Sequence, residues 1–370
     1  MIMRITCMKR IIKNKYIIGT ILLFLVLQFN NMAFAGEKGK FNAGEMIVEH
    51  ISDSYEWHII TVGETHVSIP LPIILIYNGE LKTFCSSNFK HGTTSYDDFK
   101  ISEEVAHKGK IVHITKDAIG KEIEDENLPY DFSITKNVMS LFISVFLILL
   151  LFLTISRSYK KRGMASPKGF ASLLEPIILF VRDDIAKSSI GEKKYERYLP
   201  FLLTVFFFIC LYNLLGLVPF FPGGANLTGN IAITLTLAVF TFLITSFSAN
   251  KGYWKHVINA PGVPWWLKIP IPLMPIVEIV GLFTKPFVLM VRLFANITAG
   301  HIIALGFISL IFIFGEMNVA LGYGVSVVSV IFYVFMGLLE LLVAFIQAYV
   351  FTLLSALYFG MAIEEHHKEH

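Results

Sequence analysis

Hydrophobic and polar positions divide this chain into three regimes. A short apolar core, YIIGTILLFLVL, follows the basic residues Arg4, Lys9, Arg10, Lys13 and Lys15. It precedes Ala33, Phe34 and Ala35, which offer small residues at the cleavage positions of a secretory signal. Residues 1–35 therefore read as a signal peptide, with an uncleaved anchor as the alternative, and either reading places the following segment outside the cytoplasm. From 36 to about 135 polar residues dominate and short strand-like runs alternate with turns. In IPLPIILIYNGELKTF, Asn78-Gly79 separates two such runs, a strong hairpin signature. From 136 to 370 the pattern changes to long apolar runs, predicting membrane spans at 138–155, 198–221, 230–249, 271–314 and 325–363.

The last two runs exceed an ordinary span. From Val325 to Ile363 there are 39 residues and one charge, Glu340. As one helix that is about 58 Å, against a hydrocarbon core of roughly 30 Å. A tilt of about 20° does not absorb the excess, and no polar break near the middle invites a fold-back. The run 271–314 is longer still, with Pro275 and Pro286 available to bend it. The predicted fold is an all-α polytopic membrane protein of about five membrane helices, the last two long and steeply slanted. A small β-rich extracytoplasmic N-terminal domain, 36–135, precedes the membrane domain, 136–370.

Composition narrows the function classes. Of 370 residues, 55% are hydrophobic and 16% charged, and the mean hydropathy is +0.64. Soluble domains carry about 25% charged residues, so the chain belongs in a bilayer. A net charge of +3 is too small to suggest a nucleic-acid partner. The segment 156–197 holds ten Lys or Arg, whereas 222–229 and 313–324 hold none. The positive-inside rule puts 156–197 in the cytoplasm, which also makes the C-terminus cytoplasmic in an inner (plasma) membrane. Within that segment GFASLLEPIILFVRDDIAKSSIG is apolar on one face and reads as a helix lying on the inner surface. Trp265 and Trp266 suit an interfacial belt. Cys7, Cys85 and Cys210 fit no metal or redox spacing. His50, His58, His66, His91, His107 and His113 sit at no recognised ligand spacing and read as surface or packing residues. No metal and no cofactor is expected. There is no G-x-x-x-x-G-K-[ST] loop, so no direct nucleotide binding is expected either.

The polar residues inside the apolar runs carry the chemistry. An arginine at the centre of a span costs about 2.5–3.5 kcal/mol, so Arg292 requires an anionic neighbour. Asn296 lies about 40° from it on the same helix face, beside the small residues Ala295, Ala299 and Gly300. His301 falls about 180° away and roughly 13 Å further along. On the last helix Glu340 and Gln347 share a face that Tyr358 continues. An ion pair of Arg292 with Glu278 or Glu340 inside the bundle is the structural alternative. A carboxyl among apolar residues has its pKa raised, which suits proton transfer, and His301 is available to pair with Glu340 from the neighbouring helix. These residues point to an intramembrane ion or proton path, with Arg292 facing something anionic.

LFTKPFVLMVRLFANITAGH and ELLVAFIQAYVFTLLSALYFG closely resemble the two signature helices of subunit a of F-type ATP synthases. The resemblance extends to EKKYERYLPFLLTVFFFICLYNLLGLVPFF and ANLTGNIAITLTLAVF and covers about 170–363. GEMIVEHISDSYEWHI looks like the family's short N-terminal segment, here inside a longer domain similar to the long form of Bacteroidetes-like bacteria. The resemblance implies a non-catalytic stator channel whose two half-channels load and unload the carboxylates of a rotating c-ring. It implies the c-ring, b-type peripheral stalk subunits and lipid as partners. On that pattern Arg292 matches the essential arginine, Asn296 the asparagine one turn on, and Gln347 the glutamine beside the arginine. Glu340 and His301 match the inlet pair, in the arrangement seen in mitochondria, and Asn213 and Asn230 match polar inlet positions. Glu278, Lys285 and Tyr358 are further candidates. A secondary ion-coupled transporter is the rival reading, but the internal repeat expected of one is not visible in the sequence.

Overall fold

The computed structural model describes residues 41–364 except 63–64, 105–106, 117–121, 126, 163–168, 219–222, 226 and 259–272. The expected signal peptide, Trp265 and Trp266 lie outside the described residues. The chain divides into a β-rich unit centred on Ser54–Lys136 and a helical unit comprising Phe41–Asp53, Asn137–Val218 and Pro222–His370.

The β-rich unit is built of short antiparallel pairings. Strands β1 (Glu56–Val62) and β2 (Thr65–Pro70) form one hairpin. Strands β3 (Pro72–Tyr77) and β4 (Glu80–Cys85) form a second. Asn78 and Gly79 take φ of 50° and 83° at its tip, the two positive dihedrals that a two-residue hairpin turn requires. β5 (Phe99–Ile101), β6 (Ile111–Lys116) and β7 (Glu122–Glu124) make a three-stranded sheet, and β8 (Tyr130–Asp131) pairs with β3. Alternate residues of β3, Ile73 and Leu75, point into a core with Phe89, Phe99 and Ile111. Two of the histidines are structural here: His91 Nδ1 sits 2.7 Å from Glu56, and His113 stacks on Tyr77.

Among the described residues, the helical unit contains five helices long and apolar enough to cross a membrane: α2 (Lys136–Arg162), α4 (Tyr195–Gly216), α5 (Ile231–Ser248), α7 (Leu273–Met317) and α8 (Val319–Ile363). A short helix, α1 (Ala43–Ile51), starts the unit. Asn42 caps it by accepting from Glu45 N, and the Phe41 ring packs, tilted, against Phe312 with centroids 5.1 Å apart. Thus 41–53, expected within the extracytoplasmic β-rich segment, packs on α7 instead, because that apolar ring finds cover there.

Helix α3 (Phe170–Phe180) runs into a π-helical turn, Val181–Lys187, and then Ser188–Ile190. Its apolar face was expected against lipid. Instead Val181, Ile185 and Ala186 are fully buried in the main core with Leu202 and Ile209 of α4 and Phe359 of α8. Protein contacts cover the Val181–Ala186 part of that face, whereas Leu173, Leu179 and Phe180 of α3 stay exposed. Helix α6 (Lys251–Ile258) follows α5.

α7 and α8 each contain 45 residues and are unbroken, Pro286 included. Each is therefore about 68 Å long. Only Asn318 separates them, and its side chain caps α8 by accepting from Ala320 N at 2.9 Å. Where they meet, a Cβ on Gly322 would stand 2.7 Å from Gly315 Cα, so glycine permits the close approach. At the far end, Asn250 Nδ2 and Lys194 Nζ donate to the carbonyl of Ile363 at 2.8 and 3.3 Å. These donors satisfy one of the carbonyls that a helix C-terminus leaves open.

Candidate functional site

The two long helices bring Glu340 of α8 against His301 of α7, with Nδ1 3.7 Å from Oε2. That is ion-pair reach, longer than a hydrogen bond. Their side chains are 18% and 13% exposed, and Glu340 Oε1 is buried with no hydrogen-bond partner among the described residues. Gly300 makes the room: a Cβ there would stand 3.1 Å from both Cγ and Oε1 of Glu340.

A cavity of about 210 Å³ opens beside the pair, lined in part by Tyr212, Asn213, Thr228, Asn296, His301 and Glu340. It is polar at several points and roomy enough for a chain of water molecules. Asn213 is 4% exposed. Its Nδ2 donates to Ala344 O at 3.3 Å and its Oδ1 accepts from Thr228 Oγ1 at 2.8 Å. Tyr212 Oη donates to Ser140 O at 3.3 Å. These bonds tie the α4 wall of the cavity to α8 and α2.

Asn296 extends the cavity to within one helical turn of Arg292, about 6 Å along the axis. Arg292 is exposed on the surface of α7, and among the described residues no carboxylate lies within ion-pair distance of it. Neither Glu278 nor Glu340 satisfies it. Gln347, on α8, is 5% exposed.

The remaining candidates do not line this cavity. Lys285 Nζ stands 5.6 Å above the Tyr358 ring, and both line a narrow cleft with Thr241, Thr245, Ser246 and Tyr253. Burial, and secondly the Glu278 carboxylate, push the Tyr253 phenol up, so Glu278 faces the same end of the unit. Asn230 lies away from the cavity lining and is the N-cap of α5, accepting from Ala232 N at 2.9 Å.

Three features of the helical unit were not read from the sequence. The Thr228–Asn213 bond joins residues 15 apart across a connection whose path no local pattern reveals. The role of Gly300 as the seat of Glu340 depends on helix register, though a small residue beside a buried acid was a usable signal. The π-helical turn gathers Arg182, Asp183 and Lys187, with Asp183 accepting from Arg182 Nε at 2.9 Å and contacted by Lys187 Nζ at 2.8 Å. Those bonds hold the Asp183 carboxyl well below the usual range.

Comparison with known proteins adds a family. Residues 138–360 match the family described as ATP synthase A chain, and residues 46–132 match a domain of unknown function (DUF8433). The chain is 45% identical over 266 residues to ATP synthase subunit a of Chloroherpeton thalassium, covering 70% of this chain and 72% of that one. It is 46% identical over 248 residues to ATP synthase subunit a of Chlorobium phaeobacteroides, covering 65% and 68%. The Myxococcus xanthus protein of the same name is 45% identical over 247 residues, covering 65% and 77%.

Proposed function

From the premise that this chain belongs to the ATP synthase A chain family, we propose a residue-level mechanism for proton passage through its helical unit. The chain is a multi-pass membrane protein and the proton-channel component of the stator of an F-type ATP synthase. The secondary-transporter alternative is not favoured by this membership.

In the proposed mechanism protons enter from the extracytoplasmic side, reach the Glu340–His301 pair and cross the cavity beside Asn213 and Asn296. They protonate a carboxylate of the c-ring as it faces α7 and α8. Arg292 attracts that carboxylate once it is ionised, and its fixed charge blocks a direct leak between inlet and outlet. Gln347 lies on the α8 side of this contact. Lys285, Tyr358 and Glu278 belong to the opposite end and suit the outlet, whereas Asn230 serves the start of α5. Each proton crossing 100 mV releases about 2.3 kcal/mol, so several must be summed by the rotor for each ATP. The chain itself is non-catalytic and binds no nucleotide. The β-rich unit is periplasmic, the C-terminus is cytoplasmic, and b-type subunits hold the stator.

One observation carries this reading. A half-buried acid–histidine pair opens on a cavity that ends one turn from an exposed arginine with no carboxylate partner among the described residues. The test is ATP-driven proton pumping in inverted vesicles carrying Arg292→Ala. Pumping is expected to vanish while the complex still assembles. Normal pumping would overturn the mechanism, and loss of assembly would mark Arg292 as a structural residue.

A further inference from the structure

We propose that His50 of α1 is an outer proton relay that feeds His301. The proposal rests on reading His301 and Glu340 as the inlet pair, and it adds a residue from a separate element. The rings of His50 and His301 stack with centroids 6.1 Å apart and planes at 24°. His50 is exposed, whereas the His301 and Glu340 side chains are 18% and 13% exposed. The three titratable groups therefore descend from the surface to the cavity wall. An ordinary histidine titrates near pH 6.5, which suits a group that must both take up and release protons near neutrality.

The position of His50 is imposed by anchors around it. Asn42 and Glu45 cap α1, and Phe41 N donates to Glu316 Oε1 at 2.7 Å. Beyond the helix Asp53 accepts from Asn137 N at 3.0 Å. Among the described residues, the charged groups around α1 are Glu45 and Asp53 from its own segment, Glu316 with His301 from α7, and Glu340 from α8 behind His301. At the observed separation the proton moves by ring rotation or through a bridging water. The His50 ring takes a proton at one nitrogen, and the imidazolium releases one to His301; no electrons transfer.

The experiment measures proton-driven ATP synthesis by the whole complex in vesicles, with the inlet-side pH varied. His50→Phe keeps a ring at the stack and removes titration. It is expected to lower the rate roughly tenfold, below the 10²–10⁴ of an obligatory acid–base group because water offers a parallel path. The dependence on inlet-side pH should change, and added imidazole should restore much of the rate to His50→Ala. Rates are normalised to the amount of assembled complex, and His50→Gln replaces any variant that fails to assemble. A wild-type rate and pH profile for His50→Phe would reduce His50 to packing and overturn the relay. So would a slow His50→Ala that imidazole leaves slow. Glu340→Gln run in parallel separates the two ideas. If it is inactive while His50→Phe is normal, only the relay falls; if it is fully active, the inlet reading itself falls.

Discussion

Glu340 packs closely on α7 at Gly300: a Cβ on residue 300 would stand 3.1 Å from its Cγ and its Oε1. That distance is tight enough to force the carboxylate to move, and its other oxygen is 3.7 Å from His301. Gly300→Ala should therefore displace the acid without unfolding the helix pair. Proton pumping is expected to fall severalfold at normal assembly, and Gly300→Leu should abolish it. Pumping at the wild-type rate in both variants would show that the position of Glu340 is not critical.

Gly360 meets a harder obstacle. A Cβ there would lie 2.1 Å from the backbone oxygen of Ser189, which cannot rotate away as a side chain does. Overpacking typically costs about 1–3 kcal/mol, and a backbone clash belongs at the upper end. Gly360→Ala should lower the yield of assembled complex in membranes. Gly337→Ala on the same helix, with open space around it, should leave the yield unchanged.

The carbonyl of Ile363 offers a test of helix capping. Asn250→Asp keeps the size of the side chain but removes the Nδ2 donor that reaches this oxygen at 2.8 Å. The expected loss is about 1 kcal/mol for one hydrogen bond, read as a lower unfolding temperature of the purified complex. Asn250→Gln, which retains a donor, should be milder.

Acid sensitivity should follow from Asp183. Hydrogen bonds from Arg182 and then Lys187 depress its pKa in the fold. A depressed carboxyl contributes stability above its unfolded pKa of about 3.9, and this is lost as pH falls through the folded value. Asp183→Asn should therefore lower the unfolding temperature modestly at pH 7, with the difference from wild type narrowing at strongly acidic pH. A constant difference down to the acid limit would refute the linkage.

Much of the helical architecture was legible because long apolar runs have few ways to satisfy their backbone in lipid except as helices. Arg292, His301 and Glu340 stood out because charged and titratable groups are costly there. The Asn78-Gly79 turn was legible for a different reason, since its two positive φ angles favour those residues. The placement of α1 was not legible. Asn42 and Glu45 do form an N-terminal capping pattern, but only packing on α7 decides which unit owns so short a helix. The burial of Val181 and Ile185 was hidden for a related reason: an apolar face looks the same in sequence whether lipid or protein covers it.

The two ends of α8 are held differently from its middle. The Gly315–Gly322 contact fixes one end, and Ser189, Lys194 and Asn250 grip the other. A beam supported at both ends deflects less under a lateral load than one held at a single end. For a stationary wall loaded from one side, such stiffness limits bending.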